Sequence, residues 1–176
     1  MNDPWHIDRI FRTQTIFGSE GSGRNLDHKK LLLIGEHIAK LRGIIIHEVT
    51  SLEDQIEATI LTGSDSSKLF DAIAAYHLRS IRDSFERKKQ LLKKVVGQFT
   101  SHKITEKEFD DLNWLQTLRN DFAHGAERVH SSYDYAEIQH KGRTYTLPDH
   151  KLIHRFHVVL AEWHDILEPN LSIQSR

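Results

Sequence analysis

Apolar residues recur every three or four positions over most of this chain and alternate with polar ones over one short stretch. From Glu36 to Leu61 they fall at Ile38, Leu41, Ile45, Val49, Leu52, Ile56 and Ile60. That period places them on one face of an α-helix and predicts a long amphipathic segment. Ile44 and Ile46 widen the apolar side; their β-branching lowers helix propensity only slightly, and packing overrides it. Asn25 or Asp27 can cap the segment, Leu31–Ile34 reads as its first part, and Gly35 is a weak point. The turn residues Thr62-Gly63-Ser64-Asp65-Ser66 close it. The helical period resumes from Lys68 to Phe99 through Leu69, Ile73, Tyr76, Leu78, Ile81, Phe85, Leu92 and Val95, with a break near His77–Ser80 or at Ser84.

Thr105 and Glu108 have the T-x-x-E spacing of a capping box and predict a helix start. Phe109, Leu112, Leu115, Leu118 and Phe122 make its apolar face, and Gly125 suits the left-handed position that ends many helices. Beyond Gly125 the period drops to two. Tyr133, Tyr135 and Ile138, then Tyr145 and Leu147, flank a polar break and predict a β-hairpin turning at Lys141-Gly142. Two strands alone are marginal, so the hairpin should pack on helices. Leu152, Ile153, Phe156, Val159, Leu160, Trp163 and Leu167 restore the helical period from Pro148, and Pro169 should end it. Pro4–Phe11 reads as a short helix, and the glycines and serines of Thr13–Asn25 as a flexible loop. The expected fold is all-α: a helical bundle of about five helices with a small β-hairpin between the last two helices. Residues 1–25 form an arm and loop, 26–170 the helical domain, and 171–176 a tail.

Composition narrows the function. At 176 residues one domain is the default, with a sizeable core. The 38% apolar and 28% charged fractions suit amphipathic helices with solvated faces. The absence of cysteine excludes disulfides and thiolate chemistry and fits a cytoplasmic location. No apolar run spans a membrane and no signal segment opens the chain, so no membrane partner is expected. A formal charge of −1 argues against strong non-specific nucleic-acid binding and leaves room for a local basic cleft. Arg87, Lys88, Lys89 and Lys93, with Arg79 and Arg82, are the best candidates to face phosphates; the plainer reading of such a run is a solvated helix face.

His150, His154 and His157 share one helical face, but no HExxH or cysteine accompanies them, and they read as surface residues rather than metal ligands. No phosphate-cradling loop appears, and Gly21-Ser22-Gly23 reads as a linker, so no cofactor is expected.

The sharpest stretch is Leu118–Gly125. Asn120 and His124 are four apart on the helix and share a face, while Arg119 lies roughly 140° around from His124. An imidazole at a helix end, oriented by an amide and near a fixed cation, can transfer protons at a phosphate. The structural alternative is that Arg119 pairs with a carboxylate, Asn120 caps, and His124 merely ends the helix.

Arg119-Asn120-x-x-x-His124 at a helix end resembles the R-x4–6-H motif of HEPN domains, helical domains found in RNases of toxin–antitoxin, anti-phage and CRISPR systems. The form RNDFAH is also similar to the R-N-x-F-A-H of helical proteins related to the mannitol operon repressor, and Leu52-Glu53-x-x-Ile56 to the first long helix of many HEPN domains. Glu53 is read as exposed or as the partner of a core cation. The resemblance implies a metal-independent endoribonuclease in which the RNA 2′-hydroxyl attacks the adjacent phosphate. His124 would be general base or acid, Arg119 would stabilise the transition state, and Asn120 would orient His124 or touch the phosphate. Asp121 is a candidate helper, with a surface helix-end carboxylate the plainer reading. An antitoxin or defence-system partner is also implied. A non-catalytic regulator or an RNA- or nucleotide-binding module stays open. No second histidine is placed beside His124 by sequence; His130 is nearest. A homodimer with facing motifs would supply one.

Overall fold

The computed structural model describes residues 27–63, 85–99, 103–130 and 132–171. They form α1 (His28–Gly63), α2 (Phe85–Phe99), α3 (Glu106–His124), β1 (Ala126–Val129), β2 (Ala136–His140), β3 (Arg143–Leu147) and α4 (His150–Leu171). The chain is mainly helical, with two departures from expectation. The described residues hold four helices rather than about five, and a three-stranded antiparallel sheet, ordered β1-β2-β3, stands where a hairpin was expected. The expected helix at Pro4–Phe11, the glycine-rich loop, the first part of the Lys68–Phe99 pattern and the tail beyond Leu171 lie outside the described residues.

Helix α1 is capped by Asp27, whose carboxylate accepts the Lys30 N–H at 3.2 Å. It runs unbroken through Gly35 and Gly43. Helix α3 starts at the capping box: Glu108 N–H donates to Thr105 Oγ1 at 3.2 Å, and Thr105 N–H to Glu108 Oε2 at 2.6 Å. Helix α4 continues to Leu171, two residues past Pro169.

The chain groups into two compact units, Met1–Gly43 with Asn120–Asp149, and Ile44–Arg119 with His150–Arg176. In the second, the helical faces read from the sequence become the core. Ile45, Val49, Leu52, Ile56 and Ile60 of α1 are buried, as are Phe109, Leu112, Leu115 and Leu118 of α3. Phe85, Leu92 and Val96 of α2 and Phe156, Val159, Leu160, Trp163 and Leu167 of α4 complete it. Each such side chain contributes about 1.5–3 kcal/mol by leaving water.

In the first unit, Ile38, Phe122, Ala136, Ile138 and Leu147 are buried around the sheet. Strands β2 and β3 pair from Ala136↔Leu147 to His140↔Arg143. The connecting Lys141-Gly142 has φ of 46° and 79°, the two left-handed residues that a tight hairpin turn of the right twist requires. Strand β1 pairs with β2 from Ala126↔Gln139 to Val129↔Ala136. Its four residues, Ala-Glu-Arg-Val, carry too little alternation to announce a strand. Gly125 does not take the expected left-handed conformation. It is needed for space: a Cβ there would stand 2.4 Å from the Asp121 carbonyl oxygen and 2.5 Å from Ile138 Cγ2. Its carbonyl accepts a hydrogen bond from the buried Arg42 guanidinium at 3.0 Å. Burial pulls the Arg42 guanidinium down and pushes the Glu127 carboxyl up, each opposed by the other's charge.

Candidate active site

Helix α3 carries Arg119, Asn120, Asp121 and His124 within a little over one turn of its sequence. Arg119 belongs to the second unit and the other three to the first. Arg119 donates through one terminal nitrogen to Glu53 Oε2 at 2.8 Å, with its guanidinium 5.8 Å from the centre of the Phe85 ring. Lys88 reaches the other oxygen of Glu53 at 3.0 Å and Glu57 at 2.8 Å. Glu53 is thus a receiver of two cations rather than a solvated glutamate. Burial draws the Lys88 ammonium down, but the bonds it donates to Glu57 and Glu53 prevail and hold it above its usual range.

The basic run does not form one solvent-facing surface. Lys88 and Lys89 are 5% and 1% exposed. The Lys89 ammonium contacts Asn113, Gln116 at 3.1 Å and Glu86 at 2.6 Å. The helical period turns these two inward while Arg87 and Lys93 stay exposed; Lys93 pairs with Glu106 at 2.5 Å. On α4, His150, His154 and His157 are all exposed. Among the described residues no group of three or more His, Cys, Asp or Glu is placed to hold a metal ion. No described helix is long and apolar enough to cross a membrane.

The largest departure is Asp121. It is 0% exposed, not a surface carboxylate. Its Oδ2 accepts from Arg143 Nε at 2.5 Å and from the Tyr145 hydroxyl at 2.7 Å. Its Oδ1 accepts from the second Arg143 nitrogen at 2.8 Å and meets His140 Nδ1 at 2.7 Å. Burial alone would raise this carboxyl, but the bonds from Arg143, His140 and Tyr145 outweigh it and hold it well below the usual carboxylate range. In return, burial and the bond to Asp121 push the Tyr145 hydroxyl up to about 12, so it stays a donor. The β2–β3 turn makes the cluster possible, because His140 and Arg143 are the last paired residues on either side of it.

His124 is exposed at the end of α3. Its ring centre lies 6.1 Å from that of His140, the planes inclined at 46°. His130, the nearest histidine in sequence, instead stacks on Tyr135 at 4.3 Å. The neighbourhood of His124 therefore holds a second imidazole, fixed through Nδ1 by an ionised carboxylate, and the same carboxylate holds the half-exposed Arg143. Such a constellation can give and take protons beside an anionic group. His140, Arg143 and Tyr145 carried one sequence signal, their position around a predicted turn, and nothing tied that turn to Asp121. A cavity elsewhere in the same unit, lined by residues including Ile34, Ile38, Leu41 and Leu147, contains none of these groups. Comparison with known protein families, with curated proteins and with solved structures finds no match.

Proposed function

We propose that this chain is a HEPN-type metal-independent endoribonuclease, with His124 moving a proton at the scissile phosphate. The observation that carries the reading is the exposed His124 imidazole at the end of the helix bearing Arg119 and Asn120, with a second imidazole 6.1 Å away. The reaction is a transesterification. The 2′-hydroxyl loses its proton and its oxygen bonds to phosphorus. The bond from phosphorus to the 5′-oxygen breaks, and that oxygen takes up a proton. The products are a 2′,3′-cyclic phosphate and a 5′-hydroxyl. Arg119 stabilises charge on the phosphorane-like transition state through its planar donors, and its pairing with Glu53 limits the freedom of its side chain. Asn120 orients His124 or contacts the phosphate. Among the described residues of the basic run, Arg87 and Lys93 are exposed cations that suit phosphate contact. An antitoxin or defence-system protein is the partner this activity would call for.

The test is cleavage of RNA by the purified chain in EDTA, with end-group analysis of the products. Cyclic phosphate and 5′-hydroxyl ends are expected, and His124→Ala should lower the rate by about 10²–10⁴-fold with the helical circular dichroism intact. Loss of cleavage on chelation would defeat the metal-independent mechanism. A His124→Ala chain cutting at the wild-type rate would move the chemistry elsewhere.

A further inference from the structure

Transesterification needs two proton-transfer groups, one at the 2′-oxygen and one at the leaving 5′-oxygen, and the motif helix supplies one histidine. We infer that His140, positioned by Asp121, is the second catalytic group, so that a single chain carries both. The inference rests on the ribonuclease reading and goes beyond it, because nothing in the R-x4–6-H pattern points to a residue in the following hairpin.

Four observations carry it. His140 and His124 are close enough, at 6.1 Å between ring centres, for each to lie about 3 Å from a different oxygen of one phosphate. His140 Nδ1 is committed to Asp121 at 2.7 Å, which fixes the ring so that Nε2 is the nitrogen left for chemistry. Asp121 is itself immobilised by Arg143 and Tyr145, so the histidine is held from a rigid base. Finally, Arg143 keeps 48% of its side chain exposed while gripping Asp121, which presents a cation to solvent at the same cluster.

The two rings divide the labour. His140 is the acid that protonates the departing 5′-oxygen, and His124 the base that takes the 2′-hydroxyl proton. The pair ends the turnover with its protons exchanged, and water restores them. Asp121 is a positioning residue.

An acid can be recognised by its leaving group. The full chain is given two substrates, an oligoribonucleotide and a ribonucleoside 3′-(4-nitrophenyl) phosphodiester, whose nitrophenolate departs without a proton. Wild type should cleave both. His140→Asn should slow RNA cleavage by about 100-fold or more and leave the nitrophenyl ester within a few-fold of wild type. His124→Ala should lose both. If His140→Asn fails to give the wild-type circular dichroism, His140→Gln takes its place. A folded His140 variant that cuts RNA at the wild-type rate, or that loses both substrates alike, overturns the assignment while leaving the ribonuclease reading standing. A wild-type chain inert on RNA overturns the reading itself, and the assignment with it.

Discussion

At position 125 there is no room for a side chain. A methyl group would press against the Asp121 carbonyl oxygen and Ile138 Cγ2, both within 2.5 Å of its position. Gly125→Ala should lower stability by about 1–3 kcal/mol, the usual cost of overpacking, read by urea denaturation. Asp121 makes a different prediction, about pH. Its folded carboxyl sits well below the usual range, whereas the unfolded one titrates near about 3.9. A depressed folded value means the stabilisation is complete above the unfolded value and is lost as the pH falls through the folded one. Asp121→Asn should therefore cost about 3 kcal/mol near neutrality, since it takes from Arg143, His140 and Tyr145 the buried carboxylate they share. The difference between variant and wild type should shrink steadily in acid. A constant difference from pH 7 into strong acid would mean that Asp121 is not ionised in the fold.

Among the elements, α1 tolerates what the sheet turn does not. Gly35 and Gly43 lie in helix with nothing within 4 Å of an added Cβ. Each exchange for alanine should raise stability by about 0.5–1 kcal/mol by lowering the entropy lost on folding. Gly142, with φ of 79°, should lose about 1 kcal/mol or more on the same exchange, because the left-handed region disfavours a Cβ. Thermal melts of the three variants check the contrast in sign. The loss at Gly142 should also reach the Asp121 cluster, since the turn holds His140 and Arg143 on either side of it.

Over the whole molecule, the basic run divides by burial. Lys88→Ala or Lys89→Ala should lower the melting temperature, because each removes a buried side chain whose ammonium is bonded to half-buried carboxylates or amides. Lys93→Ala removes an exposed ion pair worth about 0–1 kcal/mol and should leave stability nearly unchanged. If RNA follows the exposed face, replacing Arg87 and Lys93 should flatten the salt dependence of binding by about 0.7 in log–log slope for each phosphate left without its cation. With both histidines in one chain, specific activity should hold constant on dilution. A fall in step with dissociation of a dimer, followed by sedimentation, would mean that a second copy completes the site, as the facing-motif homodimer has it.

Sequence by itself determined what depends on neighbours along the chain. The helical faces, the Thr105–Glu108 capping box and the Lys141-Gly142 turn all follow from residues a few positions apart, where backbone geometry sets the spacing. The Arg119–His124 motif was legible for the same reason. The tertiary structure decided the rest. Asp121 lies 19 to 24 residues from the groups that bond it, and no period links a helix end to a strand turn. Nor could the run of lysines reveal which would meet Glu53 and Glu57, because the side a cation faces depends on packing between helices distant in sequence. Strand β1 owes its pairing to β2 rather than to its own four residues. His140 drew no notice as a turn residue; it became a candidate catalyst only when folding carried it to His124, since proton transfer depends on distance in space and not along the chain.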